Sequence, residues 1–206
     1  MVHIYMKLFY APGACSLATR IVAAEAGIML ESESVDLREK RTASGKDYRQ
    51  VNAKGFVPAL QLDDGEVLTE GPVVMQYLAD LNLESGLAPP NGTMLRYRLQ
   101  EMLGFLNSEI HKTYSPLFYP TTSEEVRAER KNTLQNRYAI IEARLAQHPW
   151  LVTEQFTVAD AYLFTLTNWA PHVGFDLSAF TALQAFQQRV AARPAVLSAL
   201  RAEGLV

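Results

Sequence analysis

Every strand-like run in this chain lies before residue 70, and every periodic stretch beyond it is helical. That asymmetry restricts the fold to a small sheet built from the first third of the chain, followed by a helical body. Met6-Lys-Leu-Phe-Tyr10 reads as a strand and Ser16 to Gly27 as a helix that Gly27 terminates. Glu33 to Leu37 suggests a second strand, Gly45 to Val51 a weakly helical stretch, and Ala59 to Leu62 a third strand. Asp64-Gly65 signals a hairpin into Val67-Leu68, and Val73, Val74, Tyr77, Leu78 and Leu81 recur at helical spacing within Pro72 to Leu81. The predicted order is β-α-β-α-β-β-α, a mixed sheet with helices on its faces.

Periodicity lapses from Asn82 to Thr93, where Gly86, Pro89, Pro90 and Gly92 cluster. A domain boundary belongs there, giving 1–82 as an α/β domain, 83–92 as a linker and 93–206 as an all-helical domain. In the helical part Leu99, Leu103, Leu106, Ile110 and Tyr114 form one apolar stripe, and Leu134, Tyr138, Ile141 and Leu145 form another, opened by a capping box at Thr122-Ser-Glu-Glu125. Thr157-Val-Ala-Asp160 is a second start signal, and the helix after it is apolar on every side, so it should be central. An N3 carboxylate of this kind reads as structural rather than catalytic. Pro194 suits the first position of a last helix. The leading Met1 to Tyr5 has no assignment.

The 206 residues carry a net charge of −3, with 49% hydrophobic and 20% charged residues. This is a globular composition with no electrostatic footprint for nucleic acid or an anionic membrane. No stretch approaches the roughly 20 apolar residues of a membrane span. One cysteine forms no internal disulfide, which fits a cytoplasmic location, and four histidines without ligand spacing give no metal signal.

Three local patterns carry chemistry. Cys15, the single cysteine, sits where a strand gives way to a turn and then a helix, a position where unpaired backbone N–H groups and the helix dipole favour thiolate. A lone cysteine can equally be a small buried hydrophobe. Val57-Pro58 places a proline at a strand start, and Thr69-Glu70-Gly71 puts a carboxylate and backbone N–H groups at a helix start, a grip for the ammonium and carboxylate of an amino-acid-like ligand or else a plain cap. Gly104, Asn107 and His111 form a polar line beside the apolar stripe, followed by Lys112.

These residues together resemble the bacterial beta-class glutathione transferases. The resemblance rests on Met6-Lys-Leu-Phe-Tyr-Ala-Pro-Gly-Ala-Cys15-Ser16, Lys40, Val57-Pro58, Thr69-Glu70-Gly71, His111-Lys112-Thr-Tyr114-Ser-Pro-Leu-Phe118 and Phe156-Thr-Val-Ala-Asp160-Ala-Tyr-Leu-Phe, in register from Met6 to the C-terminus. It implies a thioredoxin-like N-terminal domain, an all-helical C-terminal domain, a homodimer and glutathione in the cleft between domains. By position, Cys15 would face the glutathione sulfur and can hold it as a mixed disulfide. Lys40 would lie near the glycine end, Val57 before a cis Pro58 would pair with the cysteinyl part, and Glu70 with Gly71 would hold the γ-glutamyl end. His111 and Lys112 would approach the thiol. A small hydrophobic electrophile would rest near Tyr10, Tyr114, Phe118, Trp169 and His172.

The expected activity is attack of glutathione thiolate on an electrophilic carbon, with reduction of peroxides or disulfides through Cys15 as a side activity. Tyr10 and Ser16 are alternative thiol partners. The rivals are a monothiol glutaredoxin-like oxidoreductase and a non-catalytic ligand-binding protein on the same fold. Two departures stand out. Gly71 replaces the serine of many family members, and Gly104 the asparagine of some.

Overall fold

The structure, a computed structural model, describes residues 5–206, so of the unassigned Met1 to Tyr5 only Tyr5 falls within it. Its residues group into two compact units. One comprises the described residues up to Leu87 together with Arg193–Val206, and the other is Ala88–Ala192. The last helix therefore groups with the sheet rather than with the helices that precede it in sequence, which differs from the expected division into 1–82, 83–92 and 93–206.

The first unit is built on strands β1 (Lys7–Tyr10), β2 (Glu31–Asp36), β3 (Arg41–Thr42), β4 (Ala59–Gln61) and β5 (Val67–Thr69), ordered β3-β2-β1-β4-β5. Only β1 and β2 are parallel, joined through helix α1 (Ser16–Glu25). Helix α2 (Gly71–Leu81) and helix α8 (Pro194–Ala202) both pack on α1. Leu8, Ile21, Leu60, Val74, Leu78 and Val196 are fully buried among these elements. The four expected strands are present with a fifth, β3, that the sequence reading lacked, but the helix expected at Gly45 to Val51 is not. In its place stand the two-residue β3 and a single 3-10 turn, Tyr48–Gln50, capped by Asp47. The segment has too few apolar positions for an amphipathic helix, and its one large apolar side chain, Tyr48, is fully buried against Phe9.

That turn has a positional use. The Tyr48 hydroxyl and the Asn52 amide both donate to the Phe56 carbonyl, at 2.9 and 2.7 Å. They fix the segment that leads into Val57-Pro58.

Helix α8 returns to the opposite end of the same unit. Arg193, at its N-cap, pairs with Glu25 at the end of α1 at 2.6 and 2.8 Å. At the other end the buried Glu203 carboxylate accepts from Arg20 Nε (3.0 Å) and from the Gly13 N–H (2.9 Å). Burial raises the Glu203 carboxyl above its ordinary value, against the pull of Gly13 and Arg20. Gly13 has φ of +68°, so a non-glycine residue there would be strained. The turn before Cys15 is thus held by a residue 190 positions away.

The second unit contains helix α3 (Met94–Phe105), a π-helical segment Leu106–His111, and the short helix α4 (Lys112–Tyr114). Helices α5 (Glu124–Leu145), α6 (Val158–Thr167) and α7 (Thr181–Ala191) complete it. Both predicted apolar stripes are buried. Helix α5 starts one residue later than predicted: Ser123 is its N-cap, so Val126 occupies the N3 position and the expected capping box does not form. Thr122 instead donates to the Pro116 carbonyl at 2.6 Å. All ten residues of α6 are buried. The Asp160 carboxylate accepts from the Thr157 N–H and hydroxyl, both at 2.8 Å, and from the Leu151 N–H at 2.9 Å.

Asp160→Ala orphans two buried N–H groups and loses the cap, so it should cost about 3 kcal/mol in denaturant unfolding. Burial pushes the Asp160 carboxyl from 3.8 up to about 6 despite its donors. The folded state therefore binds this proton more tightly than the unfolded state, and the wild-type advantage over Asp160→Ala should narrow as pH rises from 3.8 to about 6. Glu203→Ala leaves the Arg20 guanidinium largely buried without its carboxylate, at a cost of about 3 kcal/mol. Cys15, the single thiol, should then react faster with a disulfide reagent because its turn is released.

Candidate functional site

In the first unit the end of β1, the start of α1, the Val57 segment and the start of α2 bring several predicted residues together. Ala14 and Leu17 donate in successive turns to Ala11 and Ala14, so the chain winds into α1 through Cys15, whose own backbone is already helical. The cysteine therefore occupies the N-cap position without capping: its side chain makes no bond to the first-turn N–H groups. Sγ lies instead 3.1 Å from the Val57 carbonyl oxygen. This differs from the orientation the sequence suggested, because the thiol acts as a donor to a carbonyl and not as an acceptor of first-turn N–H groups. The same contact joins the thiol to the residue expected to meet the cysteinyl part of the ligand. The Val57–Pro58 peptide is cis.

The alternative thiol partners are engaged locally. Ser16 is fully buried and its hydroxyl exchanges bonds with the Ala11 N–H (3.2 Å) and carbonyl (3.3 Å). The Tyr10 ring lies under the Arg20 guanidinium at 4.3 Å. Lys40 has φ of +55° and donates to the Gly55 carbonyl at 2.9 Å, with its ammonium 5.1 Å from the Phe56 ring.

Glu70 is the N-cap of α2, yet its side chain does not cap the helix. Its backbone is held at φ of +70°, a region costly for a side-chain-bearing residue. Lys54, which sequence reasoning missed, bonds both the Glu70 carboxylate (2.6 Å) and the Thr69 hydroxyl (2.8 Å). Both members of the pair are about half exposed, so it is worth little as a stabilising contact. Gly71 begins the helix, and a Cβ added there would meet Pro58 atoms at 3.7 and 3.8 Å, ordinary contact. Sterics do not require glycine at this position. A Cβ at Gly104, on exposed helix surface, would meet nothing within 4 Å.

The second unit gathers the predicted aromatic residues around Trp169. The rings of His111, Phe118 and Tyr114 approach it edge-on at 4.9, 5.5 and 5.7 Å. Phe118 is exposed, whereas Tyr114 is fully buried with its hydroxyl 3.0 Å from that of Tyr138. Burial raises the Tyr114 hydroxyl well above its ordinary range, so it stays neutral and backs the indole. His172 is exposed on the 3-10 turn Pro171–Val173, and Lys112 is exposed on α4.

His111 ends the π-helical segment. Its Nδ1 is 2.6 Å from the hydroxyl of Tyr162, and that hydroxyl donates to Asn107 Oδ1 at 3.0 Å. Tyr162 is a second residue that sequence reasoning missed. It reads as core in an apolar run, although a buried tyrosine hydroxyl needs a partner, and that need was the available signal. Among the described residues no group of three or more His, Cys, Asp or Glu could hold a metal ion. Among the described residues no helix is long and apolar enough to cross a membrane.

Comparison with known proteins bears on the whole chain. Residues 13–81 match the glutathione S-transferase N-terminal domain, and residues 105–194 the glutathione S-transferase C-terminal domain. The chain is 46% identical to glutathione S-transferase GstA of Escherichia coli O157:H7 over 97% of this chain and all of the relative. A sphingomonad glutathione S-transferase solved in complex with glutathione is 46% identical, with a TM-score of 0.94 over 97% of this chain and all of that one. The beta-class glutathione S-transferase of Sphingomonas chungbukensis is 44% identical, with a TM-score of 0.95 over the same shares. The first unit's thioredoxin-like sheet, the second unit's helices and these full-length identities together place the chain in the bacterial beta-class branch of the glutathione S-transferase family.

Proposed function

We propose that this transferase holds glutathione with its sheet-bearing unit and conjugates its sulfur to small hydrophobic electrophiles received by the aromatic group around Trp169. One juxtaposition carries the reading: the Cys15 thiol, the Val57 carbonyl, the cis Pro58 and the Glu70-Gly71 helix start lie on adjoining segments of one unit. A γ-glutamyl-cysteinyl ligand offers a thiol, a peptide backbone and an amino-acid end. These have matching partners in a thiol neighbour, a main-chain edge, and a carboxylate beside helix N–H groups.

The step is a displacement. The thiol proton leaves to a base, the sulfur lone pair forms the S–C bond, and the bond to the leaving group breaks with its electron pair going to that group. Glutathione is the nucleophile, and Cys15 is its neighbour, able to form a mixed disulfide with it. A thiol of pKa about 8.5 is only a few per cent ionised at neutral pH, so lowering that value is the chemical task. His111 is the candidate base, and Lys112 adds positive charge beside it in sequence. Lys40 serves the glycine carboxylate. The glutathione ammonium, on arrival, takes the place of Lys54 at Glu70. The reading includes a homodimer in the cytoplasm.

Purified protein should be retained on immobilised glutathione and should conjugate glutathione to 1-chloro-2,4-dinitrobenzene. Failure of both sinks the reading. Glu70→Gln removes a charged hydrogen-bond acceptor and should raise the glutathione KM about 10- to 100-fold with a smaller change in kcat. Gly71→Ser adds one hydroxyl where a Cβ fits, and should lower that KM about fivefold. Cys15→Ala should remain on the glutathione resin but lose the protein–glutathione disulfide seen by intact mass after oxidation. Light scattering on the eluted protein should give twice the chain mass.

A further inference from the structure

The hydroxyl of Tyr162 lies between two partners of opposite demand, and it has one proton to give. Asn107 Oδ1 only accepts, so across that 3.0 Å contact the tyrosine is the donor. With its proton committed to Asn107, the tyrosine oxygen can meet His111 Nδ1 across the 2.6 Å contact only as an acceptor, which calls for a proton on Nδ1. The reverse arrangement would leave two oxygens facing each other at 3.0 Å with no proton between them. In a neutral imidazole only one nitrogen is protonated, so Nε2 carries the lone pair.

We propose that Tyr162 and Asn107 are positioning residues that lock His111 in its Nδ1–H tautomer and so present Nε2 for the proton transfer that conjugation requires. The lock holds through a proton cycle. When Nε2 gains a proton, Nδ1 keeps its own, and the bond to Tyr162 survives unchanged. Two further features keep the ring from turning. The Trp169 indole meets it at 66° with centroids 4.9 Å apart, and Tyr162 is almost fully buried within α6, where its hydroxyl has no room to swing. The π-helical turn Leu106–His111 contributes as well. Asn107 and His111, four residues apart within it, lie on one helix face and reach one hydroxyl.

The tautomer claim stands on this unit alone, while its consequence for rate rests on the role given to His111 above. Nitrogen-15 NMR of histidine-labelled full-length protein at pH about 8.5, where an ordinary imidazole is neutral, reads the tautomer directly. Assignment by His111→Ala removes one of the four histidine patterns. The expected result is the Nδ1–H form in the wild type, lost in Tyr162→Phe and in Asn107→Leu, and kept in Asn107→Asp, whose carboxylate can only accept. Tyr162→Phe should also lower kcat for conjugation about tenfold or more, with the glutathione KM changed less than about twofold. An Nε2–H wild type, or a tautomer unmoved in Tyr162→Phe, overturns the proposal. So does a full kcat in Tyr162→Phe when His111→Ala is slow. Full activity in His111→Ala overturns instead the role assigned to His111.

Discussion

A single buried carboxylate holds the helical unit in register. Asp160 takes donors from Thr157 and from Leu151, so it both starts α6 and ties the preceding loop to that start. An ionisable group enclosed in this way is costly unless its oxygens are saturated, and three donors supply that saturation. Everything α6 carries is placed by this anchor, because the helix is buried on all sides and has no exposed face along which to slide. Tyr162 lies two residues beyond Asp160, and Trp169 follows just past the helix end. The aromatic group and the His111 ring are therefore set by a contact that touches neither.

The sheet-bearing unit uses a comparable device with different chemistry. Glu203 reaches back from the end of α8 to the turn before Cys15, and Arg20 joins it to the Tyr10 ring. From the other side Tyr48 and Asn52 clamp the Phe56 carbonyl. The thiol and its carbonyl acceptor lie between two fixed supports, one from the chain's end and one from an irregular segment between strands. Irregular backbone is tolerable there because the Phe56 carbonyl it leaves outside the sheet takes two side-chain donors.

Much of this was legible in the sequence. Periodicity located β1, β2, β4, β5, α1, α2 and both apolar stripes, since burial on one face imposes a repeat that the residues themselves display. The Thr157 and Asp160 start signal was equally plain. The segment from Gly45 to Val51 was not, because its structure depends on Tyr48 finding a carbonyl eight residues later, a long-range demand without local period. Thr122 and Ser123 are adjacent hydroxyl residues, and tertiary contact with Pro116 chose between them. Among the candidate residues, those that stand out by their chemistry, Cys15, Glu70 and His111, could be picked from the sequence. Their supports could not. Lys54, Glu203 and Tyr162 are ordinary surface or core residues until the fold brings them to a partner.

The π-helical turn carries one more consequence. A regular α-helix advances about 100° per residue, so the extra residue of a π turn rotates everything after it by about that amount relative to an unbroken helix. In the segment Leu106–His111 that rotation comes just before the imidazole. Shortening the segment by one residue would give better backbone hydrogen bonds and an equally apolar stripe, yet it would swing position 111 to a different bearing. The angular setting of the histidine is thus encoded in the length of the chain before it, and point substitutions that preserve that length leave it in place.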